Sequence, residues 1–91
     1  MKDKPKTFER ISQIANNDVA KLIEAEKFYG VSWRKRGGMG AFMMLARKWD
    51  RIENQVSSEN YDIFLTYKKN QSQEGLLDDI QDLRRYLLLV E

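Results

Sequence analysis

The chain has 91 residues, of which 42% are hydrophobic and 33% charged, and its formal net charge is +2. This length predicts one domain, whose small core favours stabilisation by oligomerisation. Cysteine and histidine are both missing from the sequence. Disulfide bonds, thiolate nucleophiles, Cys/His zinc sites and histidine acid–base catalysis are therefore excluded, and any metal site must use oxygen ligands.

The sequence also limits the cellular location and the partners that we expect for the protein. No apolar stretch approaches the roughly 20 residues that span a membrane, and the basic N-terminus is not followed by the apolar run of a secretory signal. A net charge of +2 is too small to indicate nucleic acid by itself. We therefore expect a cytoplasmic protein with no membrane partner and no nucleic acid partner.

Hydrophobic periodicity predicts an all-α fold, a small bundle of about four helices, completed by oligomerisation. Residues 1–6 are predicted to form a disordered basic tail, and residues 7–91 a single domain. The first helix is expected from Thr7, as its N-cap, to Gly30.

The remaining helices follow a glycine-rich loop over residues 30–40. The second helix is expected from Gly40 to Val56, and a short third helix from residue 61 to 67, capped by the serines at 57 and 58. The fourth helix is expected over residues 73–90 with Ser72 as its N-cap.

Glu53 occupies an unusual position on the second predicted helix. The apolar stripe of that helix is Phe42, Leu45, Ala46, Trp49, Ile52 and Val56. At 100° per residue Glu53 falls inside this stripe, next to Trp49, which is predicted to lie in the core. An ionised carboxylate facing the core is costly unless it is paired or bound to a metal. The alternative to a metal is a buried ion pair with Arg10, Lys21 or Arg84.

Two acidic pairs share the spacing i, i+3. Asp50 and Glu53 lie on the second predicted helix, and Asp79 and Asp82 on the fourth. If the two helices packed face to face, four carboxylates would meet, and Mg²⁺ is the usual cation of such sites when the substrate is a phosphate. The alternative for Asp79 and Asp82 is a solvated helix N-terminus that suits the macrodipole.

The loop carries the cations that phosphate chemistry needs. Arg34, Lys35 and Arg36 are consecutive and flanked by glycines, an arrangement suited to polyphosphate oxygens. Trp33 is expected either to stack on a base or to pack over the end of the bundle. On the last helix, leucines lie outside the main apolar stripe, at positions 77, 88 and 89, which predicts a homodimer or homotetramer.

Three segments resemble the small phage-encoded MazG-like proteins of the all-α nucleotide pyrophosphohydrolase superfamily. They are YGVSWRKRGG at 29–38, RKWDRIE at 47–53 and EGLLDDIQDL at 74–83. The two acidic pairs look like the ExxE…ExxD signature of that superfamily. Aspartate stands where glutamate is usual in the first pair and at the start of the second.

The resemblance implies Mg²⁺-dependent hydrolysis, with Mn²⁺ as a substitute, of a (d)NTP to a (d)NMP and pyrophosphate, in phage deoxynucleotide metabolism and hence in the host cytoplasm. It implies that Asp50, Glu53, Asp79 and Asp82 bind the metal, and that Glu53 also orients or deprotonates the attacking water. The residues expected to bind substrate are Ser32, Trp33, Arg34, Lys35, Arg36, Lys48 and Tyr86. The alternative function is a non-catalytic helical module that binds nucleic acid or a partner protein through the basic loop.

Overall fold

The computed structural model describes residues 3–69 and 75–91, with side chains from residue 6 onward. Its elements are α1 (Asp3–Tyr29), a 3-10 turn (Ser32–Arg34), α2 (Gly37–Ser57), α3 (Ile63–Lys69) and α4 (Leu76–Val90). Within these residues there are four α-helices and no strand. The predicted all-α class is confirmed.

The chain divides into two compact units, residues 1–32 and residues 33–91. The predictions of a disordered tail over 1–6 and of one domain over 7–91 stay predictions. The predicted cap Ser72 and residues 73–74 lie outside the described residues. No helix in the described ranges combines the length and the apolar character that a membrane span requires.

Helix α1 forms the first unit. It begins at Asp3, four residues before the predicted start, and ends at Tyr29, one residue before the predicted end at Gly30. Gly30 stops it by adopting a φ of +58° and donating its backbone N–H to the Glu26 carbonyl at 2.8 Å. A left-handed residue commonly ends a helix in this way. Glycine is favoured at the position, because a residue with a side chain is strained there.

Helix α2 begins at Gly37, three residues before the predicted start. Gly37 has a φ of +72°, which turns the chain out of the basic loop and into the helix. A Cβ on Gly40 would lie 2.6 Å from the Arg36 Cβ. The glycine at 40 therefore lets Arg36 lie against the first turn of α2.

The turn from α2 to α3 corrects one sequence prediction. The hydroxyls of Ser57 and Ser58 donate back to carbonyls of α2 at 2.8 Å, so the serines do not cap α3. Asp62 is the cap, since its carboxylate accepts the backbone N–H of Leu65 at 3.0 Å. Serine hydroxyls at a helix C-terminus readily bond to the preceding turn instead of the next helix.

The core of the second unit lies between α2 and α4. Ile52 and Val56 of α2 and Leu76 of α4 are its buried apolar residues, and Ile80 and Leu83 pack against them. Leu76 is only 1% exposed. Helix α3 adds the buried Thr66, whose hydroxyl donates to the Asp62 carbonyl at 2.8 Å.

The face of α2 that packs matches only part of the predicted apolar stripe. Phe42 is 62% exposed and Trp49 is 54% exposed, so the prediction that Trp49 lies in the core is wrong. The packed face contains Ile52 and Val56 together with the half-buried Lys48 and Gln55. The apolar pattern identifies Ile52 and Val56 but misses the rest of this face, because that part is polar and bonds to α4.

Candidate functional site

Asp79 is the centre of a polar cluster between α2 and α4. Its carboxylate is 2% exposed. Oδ1 accepts a hydrogen bond from Arg51 Nε at 2.8 Å, and Oδ2 accepts one from Gln55 Nε2 at 2.7 Å. Burying a carboxylate is costly without such donors, so the two bonds explain how an aspartate reaches the packed face of α4.

Lys48 extends this cluster toward the solvent. Its ammonium group lies 3.0 Å from an Asp82 oxygen and 3.9 Å from Asp79 Oδ1. Lys48, Arg51 and Gln55 are spaced three and four residues apart, so they share one side of α2. The second acidic pair thus bonds to side chains of α2, and no buried side-chain N or O atom in the described part of the protein lacks a hydrogen-bond partner.

Asp79→Ala is expected to lower the free energy of unfolding by about 2 kcal/mol, because it removes two hydrogen bonds to a buried charged group. The estimate is below that for a fully buried pair, since the Arg51 side chain is 44% exposed. Chemical denaturation monitored by circular dichroism measures the change.

Asp78→Ala is the matched control, because Asp78 is the exposed neighbour of Asp79 in the same first turn. It loses only the favourable interaction with the helix N-terminus, about 0.5 kcal/mol. Equal losses from the two variants would show that the Asp79 cluster does not stabilise the packing of α2 and α4.

The first acidic pair lies on the other side of α2. Asp50 and Glu53 are both exposed, so the prediction that Glu53 faces the core is wrong. Along a helix, Lys48 and Asp50 project about 160° apart, and so do Gln55 and Glu53. Since Lys48 and Gln55 turn toward Asp79, the first pair turns away from α4. Within the described residues neither carboxylate takes part in an ion pair.

These positions test the fit of a divalent cation. Among the described residues, no three acidic side chains come together in a group suited to a metal ion, so the arrangement does not fit an ion held by all four carboxylates. Asp50 and Glu53 do fit the other common Mg²⁺ arrangement. There, one or two carboxylates bind the ion, and water and substrate phosphates supply the remaining ligands.

The predicted substrate-binding residues lie in three places. Arg34, in the 3-10 turn with Ser32 and Trp33, stacks on the Trp33 ring with its guanidinium carbon 5.6 Å from the ring centroid. Arg34, Lys35 and Arg36 are exposed, and Trp33 is half-buried. Lys48 belongs to the Asp79 cluster. Tyr86 is half-buried on α4.

Sequence reasoning missed Arg51 and Gln55. Both bond to Asp79, yet neither is apolar, acidic or part of the basic loop. Their spacing gave a usable signal, because with Lys48 they form a polar row directly beside Ile52.

Comparisons with models of protein families, with curated proteins and with solved structures gave no match to this chain.

Proposed function

We propose that this protein is a Mg²⁺-dependent nucleoside triphosphate pyrophosphohydrolase of the MazG-like type, which cleaves a (d)NTP to a (d)NMP and pyrophosphate. One observation supports this most directly. Asp50 and Glu53 present two exposed carboxylates at i, i+3 on a helix that packs on α4, and neither forms an ion pair with a residue that the structure describes. Exposed carboxylate oxygens on a packed helix suit a hard cation that also contacts phosphate.

Asp50 and Glu53 would hold the ion, which neutralises phosphate charge and lowers the pKa of bound water when present. Glu53 would in addition orient or deprotonate the attacking water. The cations of the basic loop, Arg34, Lys35 and Arg36, would bind the phosphates of the leaving group, where positive charge stabilises the transition state. Trp33 would contact the base or the sugar.

The second acidic pair has a different part in the proposal. Asp79 is buried and bonded to Arg51 and Gln55, and Asp82 is paired with Lys48. These contacts support a positioning role, since they fix α2 against α4. That Asp79 and Asp82 bind metal stays a prediction.

The proposal includes a homo-oligomer and a cytoplasmic location, the host's cytoplasm for a phage-encoded chain. Exposed leucines on α4 support the first of these: Leu77 is 43% exposed, and Leu88 is exposed to a similar extent. Apolar surface of this kind is commonly covered by a second subunit.

A thermal-shift panel tests whether the site binds its proposed ligands. Non-hydrolysable analogues of the common ribo- and deoxyribonucleoside triphosphates are added with Mg²⁺ or Mn²⁺. We expect at least one analogue with metal to raise the Tm by several degrees, because a ligand that binds only the folded state stabilises it. The rise should vanish with EDTA and in Asp50→Asn/Glu53→Gln. No shift with any analogue would contradict the proposal.

The alternative, a binding module without catalysis, is favoured by one observation. The three loop cations make no ion pair with any residue that the structure describes. Such a module would bind DNA or RNA with an affinity that falls as salt rises. Its affinity would be unchanged in Glu53→Gln, which distinguishes it from the enzyme.

A further inference from the structure

The basic loop and the exposed carboxylates lie at opposite ends of α2. Arg36 immediately precedes the helix and Glu53 lies in its last part, 53 − 36 = 17 residues further on. At 1.5 Å per residue, their backbones are about 25 Å apart along the helix axis. Asp50 is about 21 Å from Arg36 by the same measure. A triphosphate is shorter than either distance, so one nucleotide would reach both groups within one chain only if their side chains extended toward each other along the helix.

We propose that two copies of this chain pair through antiparallel α2 helices, so that the basic loop of each copy lies beside Asp50 and Glu53 of the other. Each phosphate site is then composite, with its acidic residues from one copy and its cations from the second. The ligand in this inference rests on the proposed function, whereas the pairing of the helices does not.

The outward face of α2 has the surface that such pairing requires. Met39, Phe42, Met43 and Trp49 are all exposed, by 79, 62, 56 and 54%. On a helical wheel they lie within about 120° of one another, on the same side as Asp50 and Glu53. This apolar face follows the N-terminal two-thirds of the helix, and its last part is acidic.

Charge complementarity identifies the occupant as a second copy. The exposed Arg36 immediately precedes the helix at one end of this face, the middle of the face is apolar, and the exposed Asp50 and Glu53 lie at its other end. A surface with opposite charges at its two ends complements itself when a two-fold axis reverses the direction of the second copy. The acidic end also meets the N-terminus of the partner helix, where the macrodipole favours negative charge.

The charges set the register. Placing Glu53 beside Arg36 of the other copy puts the two-fold axis between Met44 and Leu45. In an antiparallel pair, a step forward along one helix faces a step backward along the other. Three residues back from Glu53 and three residues on from Arg36, Asp50 therefore lies beside Met39 of the other copy. Phe42, Met43 and Trp49 of both copies fall near the axis and cover one another.

Cysteine crosslinking tests the pairing independently of activity. The chain has no cysteine, so Met39→Cys and Asp50→Cys each introduce a single thiol. A short thiol crosslinker is expected to join the two variants to each other when they are mixed and the subunits have exchanged. Each variant alone should remain uncrosslinked, because equivalent positions would be about 16 Å apart along the helix axis. Crosslinking of either variant to itself, or none in the mixture, would overturn the antiparallel register.

Complementation between inactive variants tests the composite site. Glu53→Gln removes the acid and Arg34→Ala/Arg36→Ala removes the cations, and each variant alone is expected to be inactive. In an equal mixture, half of the dimers contain one copy of each variant. One of the two sites in each such dimer contains no substitution, so activity should recover to about a quarter of the wild-type level. Sites formed within one chain would show no recovery, which would overturn the shared site.

The two experiments separate the two proposals. Specific crosslinking in the mixture, with no hydrolysis by the wild-type chain, would refute the proposed function and leave the antiparallel dimer standing. Hydrolysis by the wild-type chain without that crosslink would support the proposed function and overturn the further inference. A wild-type chain that sediments as a monomer at micromolar concentration would also overturn it.

Discussion

Glu53→Gln is expected to lower the rate of pyrophosphate release at least about a hundredfold, because it removes a carboxylate that binds the metal and acts on the attacking water. The fold should be unaffected. Glu53 is exposed and makes no ion pair within the described ranges, so the free energy of unfolding should change by less than about 0.5 kcal/mol. A coupled pyrophosphate assay and chemical denaturation measure the two quantities.

Glu9→Gln provides the control for this substitution. It makes the same chemical change at an exposed position on α1, and it should leave the rate of pyrophosphate release unchanged. Full activity in Glu53→Gln would remove Glu53 from the mechanism. A loss of activity accompanied by unfolding would show that the side chain has a structural role that its exposure does not indicate.

Leu76→Ala is expected to cause the largest loss of stability, about 3 kcal/mol. Leu76 is 1% exposed, and with Ile52 and Val56 it forms the small core between α2 and α4. Removing its side chain deletes buried apolar surface and leaves a cavity among few neighbours. Because a domain of this size has only a few kcal/mol of stability, we expect a large fall in the midpoint of thermal unfolding.

The neighbouring Leu77→Ala tests whether burial is the cause. Leu77 has the same side chain on the same helix but is 43% exposed. Its loss of stability should be under about 1 kcal/mol when measured at a protein concentration that keeps the oligomeric state constant. A loss as large as that of Leu76→Ala would place Leu77 in a buried interface.

The sequence predicted the helices well, since their signals are local. Gly30 ended α1 as expected, and the periodicity of apolar residues revealed α2 and α4. Capping was harder to predict, because Ser57, Ser58 and Asp62 all compete for the same turn. Only the fold decides that the serines bond backward and that Asp62 caps α3.

The orientation of α2 was the main error in the predicted site. The apolar stripe placed Trp49 and Glu53 on the inner face, yet both are exposed. The hydrogen bonds of Arg51 and Gln55 to Asp79 turn a partly polar face of α2 toward α4. Hydrophobicity alone does not indicate this orientation, because the bonds of these two polar side chains depend on Asp79, which is 28 and 24 residues away in the sequence.

The observed orientation of α2 also explains why the two acidic pairs lie apart. A cluster of four carboxylates requires that both pairs face each other across the helix interface. In the structure Asp79 faces α2, whereas Asp50 and Glu53 face away from α4. The exposed pair together with the exposed apolar face of α2 leads instead to a site shared between two copies.

Phosphorus NMR of a nucleoside triphosphate incubated with the purified protein and Mg²⁺ tests the proposed function most directly. For at least one of the common nucleotides, the signals of the triphosphate should be replaced by those of a monophosphate and pyrophosphate, and EDTA should prevent the change. If every nucleotide remains intact with Mg²⁺ and with Mn²⁺, or if the products are a diphosphate and inorganic phosphate, the proposed pyrophosphohydrolase activity is contradicted.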